Sequence, residues 1–149
     1  MQIAQPSEQM IEQQIRAWEV LDPRVLEVLR RVPRERFVPA SHAFLAFADA
    51  PVPLPRRQHM LRPSLGGRRL QGLALAGTDR VLEVGAGSGF LTACLAASAD
   101  RVHAFEIFEE LADMARTNLA AAGVRNAEVV TGDALQSQGE LRYHAIAVT

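Results

Sequence analysis

Residues 81 to 90 read Val-Leu-Glu-Val-Gly-Ala-Gly-Ser-Gly-Phe, an apolar run that meets three alternate glycines and passes at once into Leu91-Thr92-Ala93-Cys94-Leu95. The pattern predicts a strand, a tight turn and a helix in immediate succession. Glycine at 85, 87 and 89 lets the backbone turn sharply and approach a bound group where a Cβ would collide. Such a turn at the carboxyl end of a first strand, opening a helix N-terminus, is where open α/β sheets hold nucleotides. Spacing then separates the kinds of nucleotide. A dinucleotide-type G-x-G-x-x-G requires glycine at 90, where Phe90 stands, and a phosphate loop requires Gly-Lys-Ser or Gly-Lys-Thr in a chain that has no lysine. The alternative reading of the loop is a purely structural turn between strand and helix.

From Arg80 onward the chain alternates β-like and helical runs, with expected strands at 81–84, 101–105, 127–130 and 144–148 and expected helices at 90–99 and 108–122. Gly123 is placed to end the second helix in a left-handed cap. Strands separated by helices imply a parallel sheet with right-handed crossovers, so the fold class is α/β, a doubly wound parallel sheet. Residues 1–79 form a helical segment ahead of this 80–149 half-domain, the whole being one structural domain, as 149 residues suit. There, Ser7 is expected to cap a helix whose apolar stripe is Ile11, Ile15 and Trp18, and Asp22-Pro23 to start another lined by Val25, Leu26, Leu29 and Val32. A short third helix holds Phe44 and Leu45. Pro51-Val52-Pro53-Leu54-Pro55 is expected to run as an extended surface arm, and a helix to resume from Pro63 to near Gly77.

With 48% apolar and 22% charged residues the chain can form a core and is too weakly charged for general disorder. No apolar run approaches the roughly 18 residues of a membrane span, and the polar stretch Met1 to Arg16 lacks a signal-peptide core, so the expected location is cytoplasmic. Cys94 has no disulfide partner, and four histidines with one cysteine offer no zinc spacing, so no metal site is expected. A net charge of −1 leaves no overall footprint for nucleic acid. The chain stops at Thr149, directly after the apolar run Ala145-Ile146-Ala147-Val148. A parallel strand at an open edge is usually covered, so the expectation is a natural protein longer than this chain; a compact four-strand domain or a dimer covering the edge is the alternative.

Two acids follow the loop at successive strand ends. Glu106 closes His103-Ala104-Phe105-Glu106, about twenty residues past the glycines, where a carboxylate can accept both hydroxyls of a ribose. The competing reading is a helix-start charge beside Glu109 and Glu110. Asp133, in Thr131-Gly132-Asp133-Ala134-Leu135, can accept from an exocyclic adenine amine while its neighbours flank the ring, although Gly-Asp is also a common turn pair.

Glu83 to Gly89, Glu106 and Asp133 together resemble the S-adenosylmethionine site of class I methyltransferases, which have a Rossmann-like fold. The likeness narrows further. Met10-Ile11-Glu12-Gln13-Gln14-Ile15, Val32-Pro33-Arg34-Glu35-Arg36-Phe37-Val38-Pro39 and Ala46-Phe47-Ala48-Asp49 closely resemble the protein-L-isoaspartate O-methyltransferase family. The resemblance implies cofactor contacts from Glu83, Gly85, Ala86, Gly87, Ser88, Gly89, Glu106, Ile107, Asp133 and Ala134, and no metal. It also implies a substrate, a peptide or protein carrying isoaspartyl residues, whose carboxylate is methylated in a repair reaction.

One segment departs from the family. Where members carry a G-Q-T-I-S-Q-P-like stretch with Thr and Ser hydroxyls at the acceptor site, this chain reads Arg57-Gln58-His59-Met60-Leu61-Arg62-Pro63. Leu61 has no hydrogen-bonding capacity at the Ser position. Gln58 and His59 are the acceptor-side candidates. Arg56, Arg57 and Arg62 either attract an acidic acceptor or form a solvated surface. Cys94 reads as a small core residue. Three functions stay open: isoaspartyl methyl transfer, methyl transfer to a different acceptor, and cofactor binding without catalysis or a nucleic-acid role for Arg56 to Arg69.

Overall fold

A computed structural model describes residues 5–136 and 142–149. In chain order the elements are α1 (Pro6–Met10), α2 (Pro23–Arg31), β1 (Val52–Pro53), β2 (His59–Met60), α3 (Pro63–Leu73), β3 (Arg80–Val84), α4 (Phe90–Ser98), β4 (Arg101–Glu106), α5 (Glu109–Ala121), β5 (Ala127–Thr131) and β6 (Ala145–Val148), with short 3-10 turns between α2 and β2. The main sheet is parallel throughout, in the order β5-β4-β3-β6. This is the doubly wound α/β class read from the alternation of strands and helices. Gly123 has φ +74° and ends α5 as expected.

The central strand β3 is covered on both flanks, and its Val81, Leu82 and Glu83 are all buried, as are Val102 and Ala104 of β4. One continuous core joins these strands to Leu95 of α4, Leu111 and Ala115 of α5, and Ile11, Val25 and Leu29 of the N-terminal helices. Cys94 is fully buried and unbonded. β6 pairs with β3 on one side, and its Ile146 and Val148 are exposed. Among the described residues no helix is long and apolar enough to cross a membrane.

Several local expectations need correction. Ser7 does not cap the first helix: Pro6 occupies the first helical position, Gln5 precedes it, and no side chain caps the turn. Ile11 and Ile15 are buried, but Trp18 is half exposed, because Ile11–Ile15 forms a π turn and a 3-10 turn follows, which rotates later residues off the 3.6-residue stripe. Asp22 does cap α2, accepting from the Arg24 amide at 2.9 Å with Pro23 behind it. The helix from Pro63 ends at Leu73, with Ala74 left-handed, short of Gly77.

The proline-rich stretch is no surface arm. Val52–Pro53 pairs antiparallel with His59–Met60, and Val52, Leu54 and Met60 are buried. Alternation explains this: with proline at 51, 53 and 55, the two residues between them share the opposite face, which turns inward. The hairpin lies over the end of β3, bringing Leu54 against the glycine loop.

Candidate functional site

The end of β3 dictates the site. Gly85, Gly87 and Gly89 all take positive φ, +94°, +55° and +90°, so the chain leaves the strand, reverses and enters α4 within five residues. At Gly85 and Gly89 the close approach is made by the protein itself. A Cβ on Gly85 would stand 2.8 Å from Thr149 Oγ1, and one on Gly89 would stand 3.3 Å from the Ala115 backbone of α5. Gly89→Ala therefore combines a left-handed alanine with crowding of a helix backbone, and we expect a loss of about 2–3 kcal/mol in a denaturant titration.

Around this turn lies a cleft lined by Glu83, Gly85, Ala86, Gly87, Ser88 and Glu106 from the sheet edge, and by Gln58, His59 and Leu61 from the hairpin side. Of the site residues expected from sequence, Gly89, Ile107, Asp133 and Ala134 do not line it. Gly89 caps α4, Ile107 is largely exposed, and Asp133 and Ala134 lie beyond the end of β5. Asp133 still sits beside the cleft strand, since the Gly132 amide donates to the Glu106 carbonyl at 2.9 Å. Its own carboxylate accepts from the Leu135 amide at 2.8 Å.

Two buried carboxylates define the chemistry. Glu106 is fixed by backbone donors, the Gly87 amide to Oε2 at 2.9 Å and the Phe108 amide to Oε1 at 3.2 Å, which leaves each oxygen a second lone pair. Glu83 is wholly buried; the Thr92 hydroxyl donates to its Oε2 at 2.5 Å, and its Oε1 has no partner. Burial pushes the Glu83 carboxyl up to about 8, partly offset by Thr92 and reinforced by the charge of Glu106.

The opposite wall holds a residue that sequence reasoning passed over. Arg34 is 3% exposed, and its guanidinium donates from Nε to the Ala46 carbonyl and from Nη2 to the Leu61 carbonyl, each at 3.0 Å, while lying 4.8 Å from the Phe90 ring centre. Burial lowers its pKa to about 10, which leaves it charged at neutral pH. Its signal was present, since it opens the Arg-Glu-Arg-Phe-Val-Pro segment. Thr92, the one polar residue in Phe90–Ala97, was a second available signal.

On the hairpin, Arg56 and Arg57 are left-handed at φ 60° and 58°, and Arg56 pairs with Glu110 of α5 at 3.1 Å. Arg57 corresponds to the glycine of the stretch that the sequence resembles, and glycine takes a left-handed backbone without strain. Arg56, Arg57, His59 and Arg62 are exposed. Among the described residues no group of His, Cys, Asp and Glu could hold a metal ion.

A cleft at the carboxyl edge of a parallel sheet, under a glycine turn and flanked by an acid at the next strand end, is the arrangement of the class I methyltransferase fold. The chain belongs to the protein-L-isoaspartate(D-aspartate) O-methyltransferase family, whose model matches residues 5–149. It is 43% identical over 143 residues to a protein-L-isoaspartate O-methyltransferase of Methanoculleus marisnigri, covering 95% of this chain and 65% of that one. To protein-L-isoaspartate O-methyltransferase 1 of Rhodopseudomonas palustris it is 44% identical, covering 85% and 51%. The chain thus spans about half to two thirds of the length of these relatives. In fold it is similar to a Plasmodium falciparum protein described as a protein-L-isoaspartate O-methyltransferase and solved with S-adenosyl-L-homocysteine, at TM-score 0.82 and 20% identity, over 97% of this chain and 73% of that one.

Proposed function

We propose that this chain carries the S-adenosylmethionine site of an O-methyltransferase that methylates the carboxylate of isoaspartyl residues in damaged peptides and proteins, acting in the cytoplasm. The observation that carries the reading is the pair of buried acids, Glu83 and Glu106, facing one cleft beneath the glycine turn in a chain of this family. The residues fit the cofactor. Glu106, held by two amides, offers lone pairs to ribose hydroxyls; Glu83 offers an unpartnered oxygen to a cationic group; Asp133, outside the cleft lining, follows Gly132, whose amide bonds to the Glu106 carbonyl, on the side we assign to the adenine.

When bound, S-adenosylmethionine supplies a methyl group on a sulfonium. The acceptor carboxylate is already ionised at neutral pH, so no side chain has to remove a proton, and the protein's contribution is positioning and exclusion of water. The hairpin suits that role, with Leu54 and Met60 buried beside the glycine turn and Gln58 and His59 standing at the mouth as polar groups toward an acceptor. Leu61 presents carbon where the family presents a hydroxyl, which favours a second reading, methyl transfer to a different acceptor.

Incubation with radiolabelled S-adenosylmethionine and paired isoaspartyl and aspartyl peptides tests this. Label transferred selectively to the isoaspartyl peptide is expected; transfer only to other acceptors contradicts the first reading and supports the second. Glu106→Ala should weaken S-adenosylhomocysteine binding at least about tenfold, since a charge-assisted hydrogen bond contributes roughly 1.5–3 kcal/mol. Unchanged affinity in calorimetry would remove Glu106 from the site.

A further inference from the structure

Glu83 is an ionisable group without a countercharge. Its Oε1 is completely buried, has no hydrogen-bond partner and belongs to a residue that lines the cleft. An ionised carboxylate left this way would forgo most of its solvation. The groups around it do not make up the deficit. On the flanking strands its register partners are Ala104 of β4 and Ala147 of β6. From α4 come the Thr92 hydroxyl and the Cys94 thiol, whose own ionisation burial pushes up. At the end of β4 stands Glu106, a like charge, and the Arg34 guanidinium across the cleft acts on Cys94 and Asp49.

We propose that Glu83 is neutral while the cleft is empty and releases its proton to solvent when a ligand brings a cationic ammonium or sulfonium group against Oε1, so that binding and proton release are one event. The inference rests on the reading of the cleft as a site for S-adenosyl compounds. It makes the site selective for ligands with a positive group at this point, because only such a ligand repays the ionisation of a buried acid. It also makes affinity depend on pH with a definite sign. Below the pKa of the empty site, each unit of rising pH removes part of the cost of deprotonation, and above it nothing further is gained.

Titration calorimetry of the whole chain with S-adenosylhomocysteine, run in phosphate and in Tris, measures the proton directly, because the two buffers differ in ionisation enthalpy. About 0.9 proton should leave at pH 7 and about half a proton at pH 8, as a group titrating near 8 requires. Affinity should rise close to tenfold from pH 6 to pH 7 and level off above about pH 8. Glu83→Gln should abolish the release, whereas His59→Gln, which removes the imidazole at the mouth, should leave the release intact. A buffer-independent enthalpy with normal binding overturns the proton linkage and leaves the cofactor reading standing. Absence of any binding overturns both.

Discussion

Glu83→Gln is expected to stabilise the ligand-free protein at pH 8 to 9 and to change little near pH 5. The carboxyl has a raised pKa, about 8 against 4.5 for a free glutamate, so the folded state holds a proton that the unfolded state has lost between these values. Stability from this group is therefore fully present below about pH 4.5 and is lost progressively as pH rises through 8. Over that span the loss is on the order of 5 kcal/mol, at about 1.4 kcal/mol for each pH unit separating the two values. Glutamine keeps the shape and an acceptor for Thr92 but cannot ionise. Thermal melts of both proteins from pH 5 to 9 should converge at the acidic end and separate toward the alkaline end, with the variant higher. Parallel curves would show that Glu83 does not titrate in this range.

Arg34→Met should cost roughly 3–5 kcal/mol. The substitution keeps much of the aliphatic stem but leaves the carbonyls of Ala46 and Leu61 without their donor and removes the contact with Phe90. Because these two carbonyls belong to the segment that forms the hairpin wall, the same change should loosen Leu54 and Met60 over the glycine turn. Arg34→Lys retains the charge but, with a single ammonium in place of the planar fork, should recover only part of the loss. A denaturant midpoint within about 1 kcal/mol of wild type for Arg34→Met would mean that the hairpin wall is held by its apolar contacts alone.

The sheet was legible because its strands are short apolar runs punctuated by glycine, and β3, β4 and β5 fall within a residue of their expected bounds. The glycine turn and Glu106 were legible for the same reason, since their spacing follows from strand ends. Less legible were features that depend on contacts between distant segments. Val52 and Leu54 looked exposed because their partner strand, His59–Met60, lies in a stretch without β-like alternation. Trp18 left its stripe because a π turn at Ile11–Ile15 breaks the helical period, and no composition rule marks such a turn. Arg34 was hidden because arginine is ordinarily a surface residue, and only its two carbonyl acceptors and Phe90 make its burial tolerable. Asp133 and Ala134 belong to the right edge of the sheet yet stand outside the cleft lining, a separation of side chains that strand order alone does not resolve.

We assign the cleft between the glycine turn, Glu83 and Glu106 to an S-adenosyl compound. Calorimetric titration of the chain with S-adenosylhomocysteine, with NAD as the comparison ligand, tests it most directly. Saturable binding of S-adenosylhomocysteine is expected, lost or much weakened in Glu106→Ala, and none of NAD, whose pyrophosphate the loop with Phe90 at position 90 is not built to receive. Binding of NAD with no response to S-adenosylhomocysteine would contradict it.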